Sequence, residues 1–177
     1  MTMMGASPLP GLVWKSYSGP LEDSESGINS REKKCMNAEV FVDTNVFLYA
    51  ISDRPDEHAK TERARHLLLN ENWCWSVQVA GEFFNTATSP KRQFQLPHDR
   101  AREYISTWLN FPTASITSST VLKALEIQER FRVNYWDASV IASAHEIGCL
   151  TLYSEDLSHG QDYDGVKVVN PFLAVPS

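Results

Sequence analysis

The sequence predicts an α/β fold with a mostly parallel central sheet flanked by helices. Short apolar runs such as Val40-Phe41-Val42 and Leu150–Tyr153 alternate with longer segments of helical character. That alternation is typical of parallel strands joined by helical crossovers. The chain has 177 residues, of which 42% are hydrophobic and 21% charged. These values are those of an ordinary globular domain with a full core.

The elements follow one another with short connections. The predicted strands are Glu39–Val42, Trp73–Val77, Ala114–Thr117, Leu150–Tyr153 and Val166–Val169. The predicted helices are Asn45–Ile51, Glu57–Leu69, Val79–Thr86, Pro97–Trp108, Val121–Arg132 and Ala138–Ile147. Asp56 is expected to cap the second helix and Ser118 or Ser119 the fifth, and Gly148 suits the end of the last helix.

Residues 1–35 differ from the rest in composition, with several prolines and glycines and no helical or strand periodicity. We expect this segment to be a disordered extension or a mis-assigned start, because Met36 stands just before the first strand. It lacks the long apolar stretch of a secretory signal. We therefore expect a single domain over residues 36–177, and the formal net charge of −6 belongs to that part.

Composition also excludes several classes of protein. No apolar stretch approaches the roughly 18 residues of a membrane span. Cys35, Cys74 and Cys149 have no CxxC spacing, which argues against a local zinc motif and a disulfide scaffold. We expect Cys74 and Cys149 to be buried small hydrophobes in a protein of the reducing cytoplasm. The acidic balance argues mildly against a large nucleic-acid footprint but allows local basic patches.

Four acidic residues stand where such a fold would bring them together: Asp43, Glu82, Asp137 and Asp156. Asp43 directly follows the first strand and Asp156 closely follows the fourth. The carboxyl ends of parallel strands form the usual ligand crevice. Carboxylates gathered there repel one another unless a cation neutralises them. The pattern therefore indicates a divalent-metal site.

Each acidic residue taken alone also has a simpler interpretation. Asp43 or Thr44 is suited to cap the helix that follows, and Asp137 is suited to cap its own helix. Glu82 is compatible with a solvated helix glutamate, and Asp156 with a solvated loop residue. Asn45 can hold the Asp43 carboxylate or a metal-bound water.

The order of these motifs resembles the PIN-domain ribonucleases, most closely the VapC-type toxins of toxin–antitoxin modules. The resemblance covers about residues 38–173, and the long N-terminal extension departs from it. It is carried by the segments Phe41–Ala50, Gly81-Glu82-Phe83, Tyr135–Ala138, Tyr153–Leu157 and Asn170-Pro171-Phe172.

This resemblance implies an endoribonuclease that depends on Mg²⁺ or Mn²⁺, is usually dimeric, and is inhibited by a small DNA-binding antitoxin. Asp43 and Asp137 match the principal metal ligands of the family, and Glu82 and Asp156 match its other two acidic positions. Thr44 and Asn45 match the polar residues beside the first aspartate. The implied reaction is metal-assisted hydrolysis of an RNA phosphodiester.

Candidate substrate contacts come from the densest basic stretch of the chain. Lys91, Arg92, Arg100 and Arg102 can hold phosphates, with Phe94 available for base stacking. The alternative is that these side chains form ordinary solvated surface.

Other functions remain possible from the sequence. The first alternative is a non-catalytic PIN-like module that binds RNA or has a regulatory role. A phosphotransferase with a strand-end aspartyl nucleophile ranks lower, because that chemistry needs an acid two residues after the first and Asn45 stands there. An antitoxin would need exposed apolar surface, for which the candidates are Phe47, Tyr49, Trp73, Trp75, Phe83 and Phe84.

Overall fold

The computed structural model describes residues 38–173. The interpretation of residues 1–35 as an extension lies outside the described part of the chain. Within that part, the strands are β1 (Val40–Val42), β2 (Trp73–Ser76), β3 (Thr113–Ala114), β4 (Thr151–Tyr153), β5 (Asp162–Tyr163) and β6 (Val166–Val169). The α-helices are α1 (Thr44–Ala50), α2 (His58–Asn70), α3 (Val77–Ala87), α4 (His98–Trp108), α5 (Ser118–Phe131) and α6 (Tyr135–Ile147).

The strands form one sheet in the order β3-β2-β1-β4-β6-β5. Every pairing is parallel except that of β5 with β6, so the predicted fold class is confirmed. The chain passes from β1 towards β2 and β3, and later returns to place β4 on the other side of β1. The order of the strands therefore reverses between β1 and β4, and in open α/β sheets such a reversal opens a crevice at the carboxyl ends.

Helix packing builds the rest of the domain. Helix α6 contacts β2, β3, β4 and β6 and packs against α5, while α1 packs against α2 and α3. Phe47 of α1 lies at the centre of an aromatic cluster, with its ring centroid 5.4 Å from Trp73, 5.1 Å from Trp75 and 4.6 Å from Trp108. These four side chains are essentially inaccessible to solvent. Because α1 begins directly after Asp43, this packing also fixes the direction in which the chain leaves β1.

Several details differ from the sequence expectations at helix ends. Asp56 does not cap α2, because it pairs with Arg54 within a 3₁₀ turn that precedes the helix. Thr117, rather than Ser118 or Ser119, caps α5 by accepting a hydrogen bond from the Thr120 N–H. In both places a local side-chain contact outweighed simple cap preference.

One strand was missed, and the cysteines behave as expected. The two-residue strand β5 pairs with β6 across a tight turn in which Asp164 and Gly165 both have positive φ. Two residues are too few to show a period-2 pattern. Cys74 and Cys149 are buried thiols, and their Sγ atoms are 3.1 Å apart. None of the described helices has the length and hydropathy that a bilayer crossing needs.

Candidate metal centre

The parallel pairing of β1 with β4 places the loops that follow these two strands side by side. In the β1–β4 pair Val42 is opposite Tyr153, so Asp43 and Ser154 follow their strands at the same level. The Ser154 hydroxyl donates a hydrogen bond of 2.7 Å to Asp43 Oδ2, and the Thr44 N–H donates one of 2.7 Å to Oδ1. Asp43 is thus both the N-cap of α1 and a carboxylate at the sheet edge. The two interpretations of this residue are compatible.

Asn45 connects Asp43 to Asp156. Its Nδ2 lies 3.2 Å from Oδ2 of Asp43 and 3.2 Å from Oδ2 of Asp156. These acceptors set the orientation of the amide, because a flipped amide would point its oxygen at two carboxylates. The Oδ1 atom of Asn45 is consequently buried, and no donor from residues 38–173 reaches it. A buried orphan acceptor of this kind needs an explanation such as a water or an ion.

Glu82 reaches the same edge from α3. The Thr44 hydroxyl donates to Glu82 Oε2 at 2.9 Å, and Gln78 Nε2 donates to Oε1 at 2.8 Å. Gln78 lies one helical turn before Glu82 and also accepts a hydrogen bond from Ser139 of α6. Both carboxylate oxygens of Glu82 are therefore held, which restricts the side chain to one position.

Asp137 lies in the first turn of α6, because that helix begins at Tyr135 rather than at Ala138. Asn134 caps the helix by accepting from the Asp137 N–H at 3.0 Å, and its Nδ2 donates to Asp137 Oδ2 at 2.6 Å. Asp137 is therefore not the cap, and its half-buried carboxylate retains an oxygen for another contact.

The loop after β4 separates the two acidic residues that the sequence places together. Glu155 forms an ion pair with Lys60 of α2, and Lys60 also donates to the Tyr49 hydroxyl at 3.0 Å. Asp156 is exposed and turns towards Asn45. The Lys60 pair thus fixes this loop to the body of the domain and leaves Asp156 in the cleft.

A cleft of about 770 Å³ lies at this edge of the sheet. It is lined by Glu82, Asp137 and Asp156, by the polar residues Thr44, Asn45, Gln78, Asn85, Thr86 and Asn134, and by Leu48, Val77, Gly81 and Trp136. Asp43 is nearly buried and contacts the lining residue Asn45. No lysine, arginine or histidine of the described residues lines the cleft.

The carboxylates interact electrostatically. The pKa of Asp43 is raised to about 6, chiefly by burial and to a lesser extent by the charges of Asp156 and Glu82, while the hydrogen bonds from Ser154 and Thr44 act in the opposite direction. The pKa of Asp137 is also raised, by burial first and then by Asp156 and Glu82. All four acidic side chains therefore belong to one electrostatic cluster.

The donor set fits a hard divalent cation. Carboxylate and amide oxygens are the ligands of Mg²⁺, which is usually bound through one or two carboxylates and keeps several waters. The orphan Oδ1 of Asn45 and the acidic cleft agree with that chemistry. Among residues 38–173, no group of three or more His, Cys, Asp or Glu side chains is arranged to hold a metal ion, so a site with few direct protein ligands is the one that fits.

The basic residues singled out in the sequence do not reach the cleft. Arg92 is half-buried and donates from Nη2 to the Leu48 carbonyl at 3.1 Å. Arg100 forms an ion pair with Glu103, and Lys91 and Arg102 are exposed elsewhere. A contact of these residues with a long substrate stays a prediction.

Two residues of this network were missed in the sequence. Ser154 follows β4 as Asp43 follows β1, so its strand-end position was the available signal. Gln78 precedes Glu82 by four residues, the spacing at which helical side chains meet. Serine and glutamine are common enough that neither signal is specific.

The fold and the site together define an α/β domain with an acidic cleft at the point where the strand order reverses. Residues 40–160 match the family model of the PIN domain. The chain therefore belongs to the PIN domain family.

Solved structures show the same fold at low identity. The chain is similar to a toxin–antitoxin complex from Klebsiella pneumoniae, with 20% identity and a TM-score of 0.54 over 75% of this chain and 97% of that one. VapC20 of Mycobacterium tuberculosis, a toxin that cleaves the sarcin–ricin loop, has 20% identity and a TM-score of 0.53 over 65% and 88%. FitAcB of Neisseria gonorrhoeae has 16% identity and a TM-score of 0.56 over 76% and 99%. No curated protein matches the chain.

The raised pKa of Asp43 predicts that its charge opposes folding when no cation is bound. The pKa of Asp43 in the folded state, about 6, lies above its ordinary value of 3.8. The ionised carboxylate therefore destabilises the fold fully at pH values above the folded-state pKa, and this destabilisation disappears at pH values below the ordinary pKa. Asp43→Asn should therefore stabilise the protein in chelator near neutral pH, by on the order of 1–3 kcal/mol.

Urea unfolding of both proteins at about pH 7.5 and about pH 3.5 measures this difference. The stabilisation should be lost at the lower pH, and Glu129→Gln on the exposed side of α5 serves as the control. A variant less stable than wild type at neutral pH would contradict the prediction.

Proposed function

We propose that this chain is a metal-dependent endoribonuclease that hydrolyses RNA phosphodiesters. The observation that carries the proposal is the set of four carboxylates at one edge of the sheet, each oriented by a neighbouring amide or hydroxyl. Glu82, Asp137 and Asp156 line the cleft, and no basic side chain of the described residues does so. Membership of the PIN domain family and the likeness to toxin structures support it.

Asp43 and Asp137 are the proposed holders of a Mg²⁺ or Mn²⁺ ion. Such an ion, when bound, would lower the pKa of a coordinated water and stabilise charge on the phosphate. The protein's own contribution is preorganisation. Thr44 and Gln78 hold both oxygens of Glu82, and Asn45 holds Asp156 beside Asp43. Glu82 and Asp156 are thereby placed to position water or accept a proton at the edge of the cleft.

The raised pKa of Asp43 has a chemical consequence. A carboxyl that is partly protonated near neutral pH is a poor ligand, and a cation must displace that proton. Binding of the ion and ionisation of Asp43 are therefore coupled, and affinity for the ion should fall as the pH drops below about 6.

Substituting either proposed ligand should abolish cleavage. Asp43→Asn and Asp137→Asn are expected to lower the rate by at least about a hundredfold, because metal catalysis supplies several kcal/mol of transition-state stabilisation. The measurement is cleavage of transfer, ribosomal and messenger RNA by partner-free protein in Mg²⁺, Mn²⁺ and chelator. Asp99→Asn, an exposed aspartate outside the cleft, is the matched control.

Cleavage that persists in chelator, or in both Asp43→Asn and Asp137→Asn, would contradict the proposed metal dependence. If folded wild type cuts no RNA, the alternative becomes the better account. That alternative is a non-catalytic PIN-like module that binds RNA or has a regulatory role. It is favoured by the observation that no three acidic side chains among the described residues are set around one point.

Substitution of Ser154 tests whether the orientation of the Asp43 carboxylate affects binding of the cation. It donates to Asp43 but is fully buried and does not line the cleft. Ser154→Ala should weaken Mg²⁺ binding by about 10- to 100-fold, as is usual for outer-shell partners of ligands. Isothermal titration with Mg²⁺ measures the effect, and Ser158→Ala, exposed on the same loop, should leave it unchanged. Equal Mg²⁺ affinity in the two variants would remove Ser154 from the proposal.

We further propose that the protein acts as the toxin of a toxin–antitoxin pair in the cytoplasm. The aromatic residues first considered as partner surface do not serve, because Phe47, Trp73, Trp75 and Phe83 are buried and Tyr49 and Phe84 are half-buried. Exposed apolar side chains are present instead at Leu122 and Leu125 on α5. They are one turn apart and offer a surface for the proposed homodimer.

The acidic cleft itself suits a basic segment of an antitoxin. In a purified complex, a partner lysine or arginine is expected within salt-bridge distance of Asp43 or Asp137, where it would replace the cation. A crystal structure of the complex is the measurement. A partner that contacts neither carboxylate would contradict this mode of inhibition.

A further inference from the structure

Trp136 is an exposed tryptophan on the wall of the acidic cleft. Its exposed fraction is 63%, whereas Trp73, Trp75 and Trp108 are at most 1% exposed. Tryptophan is highly buried on average, but single exposed apolar residues are normal on protein surfaces. The position therefore matters more than the exposure. Trp136 lines the cleft and directly precedes Asp137.

The backbone of Trp136 is fixed relative to the carboxylates. Its carbonyl accepts a hydrogen bond of 3.2 Å from Gln78 Nε2, the same atom that holds Glu82. The ring of Trp136 packs edge-on against Tyr135, with centroids 5.4 Å apart. Trp136 therefore lines the cleft next to Asp137, with its backbone bound to the glutamine that also holds Glu82 and with its side chain largely open to solvent.

The chemistry of the cleft limits how a nucleic acid can be held there. No lysine or arginine among the described residues lines it, so backbone phosphates have no cationic side chain to bind within it. The proposed contact for a phosphate within the cleft is a cation on the carboxylates. Uncharged groups also line it, including the hydroxyl of Thr86, the side-chain amide of Asn85 and the aromatic indole of Trp136. Every base has a π-face that stacks on an aromatic ring.

We propose that Trp136 is a stacking platform for one base of the substrate. This inference rests on the proposed function and assigns Trp136 as a residue that contacts a substrate base beside the carboxylates. The base lies on the indole while the adjoining phosphate lies at the carboxylates. A base inside a duplex is already stacked on both faces and cannot make this contact.

A basic peptide is the rival occupant, because an arginine guanidinium also stacks on tryptophan. The two occupants respond oppositely to divalent cations. A cation on the carboxylates is needed to bring a phosphate near them, whereas it repels an arginine. The dependence of Trp136 contacts on Mg²⁺ or Ca²⁺ therefore separates RNA from peptide.

The test is a binding titration of the full chain with fluorescently labelled oligo(A), in Ca²⁺, in Mg²⁺ and in chelator. Trp136→Ala should raise the dissociation constant roughly 5- to 100-fold in divalent cation, the range expected for one stacked base. Trp136→Phe should retain most of the affinity. Leu150→Ala is the matched control, because Leu150 is 71% exposed and does not line the cleft.

A second readout follows the indole directly. Oligo(A) should quench tryptophan fluorescence in wild type but not in Trp136→Phe, which reports the remaining tryptophans. Where RNA is cleaved, Trp136→Ala should raise KM more than it lowers kcat, since the stacked base is not the reacting group.

The outcomes separate this inference from the proposed activity. Binding that depends on Trp136 without cleavage of any RNA would end the nuclease proposal and keep the stacking site. Cleavage with unchanged KM in Trp136→Ala would overturn the stacking site and keep the nuclease. The stacking site is also overturned if a duplex binds as tightly as the single strand. Quenching of Trp136 by an arginine-rich peptide but not by oligo(A) would overturn it as well.

Discussion

The site depends on the parallel pairing of β1 with β4 at the point where the strand order reverses. That pairing aligns Val42 with Tyr153, and it forces the residues that follow, Asp43 and Ser154, to lie together. An aspartate in such a place loses most of its hydration, and burial raises its pKa to about 6. The Thr44 N–H and the Ser154 hydroxyl, which both donate to this carboxylate, partly compensate the cost.

Helix packing then fixes the positions of the other acidic residues relative to that edge of the sheet. Phe47 anchors α1 in the aromatic core, and α1 carries Thr44, which binds Glu82 of α3. Gln78 of α3 in turn binds Ser139 and the backbone of Trp136 in α6. Three helices are therefore connected by side-chain hydrogen bonds at the mouth of the cleft. The carboxylates are therefore held in place before any ligand binds, and such preorganisation is what the proposed reaction would need.

Acidic and basic side chains are segregated in the described part of the chain. The cleft is acidic, and none of the described lysine, arginine or histidine side chains lines it. Two arginines contribute to the fold instead, because Arg92 donates to the Leu48 carbonyl of α1 and Arg65 donates to the carbonyl of Ala50. Under the proposed function, affinity for RNA would therefore come from a cation on the carboxylates and from uncharged contacts such as the one proposed for Trp136. A basic segment of a partner would compete for the same carboxylates.

Sequence patterns alone were enough to predict the fold class, most element positions and the four carboxylates. Alternating apolar strands and helices admit few topologies, and strand-end acids such as Asp43 must meet at one edge of a parallel sheet. The contacts that orient these carboxylates could be found only in the folded chain. The pairing of Glu155 with Lys60 and of Glu82 with Thr44, 38 residues away, depends on side chains that are distant in sequence. No local periodicity encodes such contacts, because they arise when separately formed helices pack against one sheet.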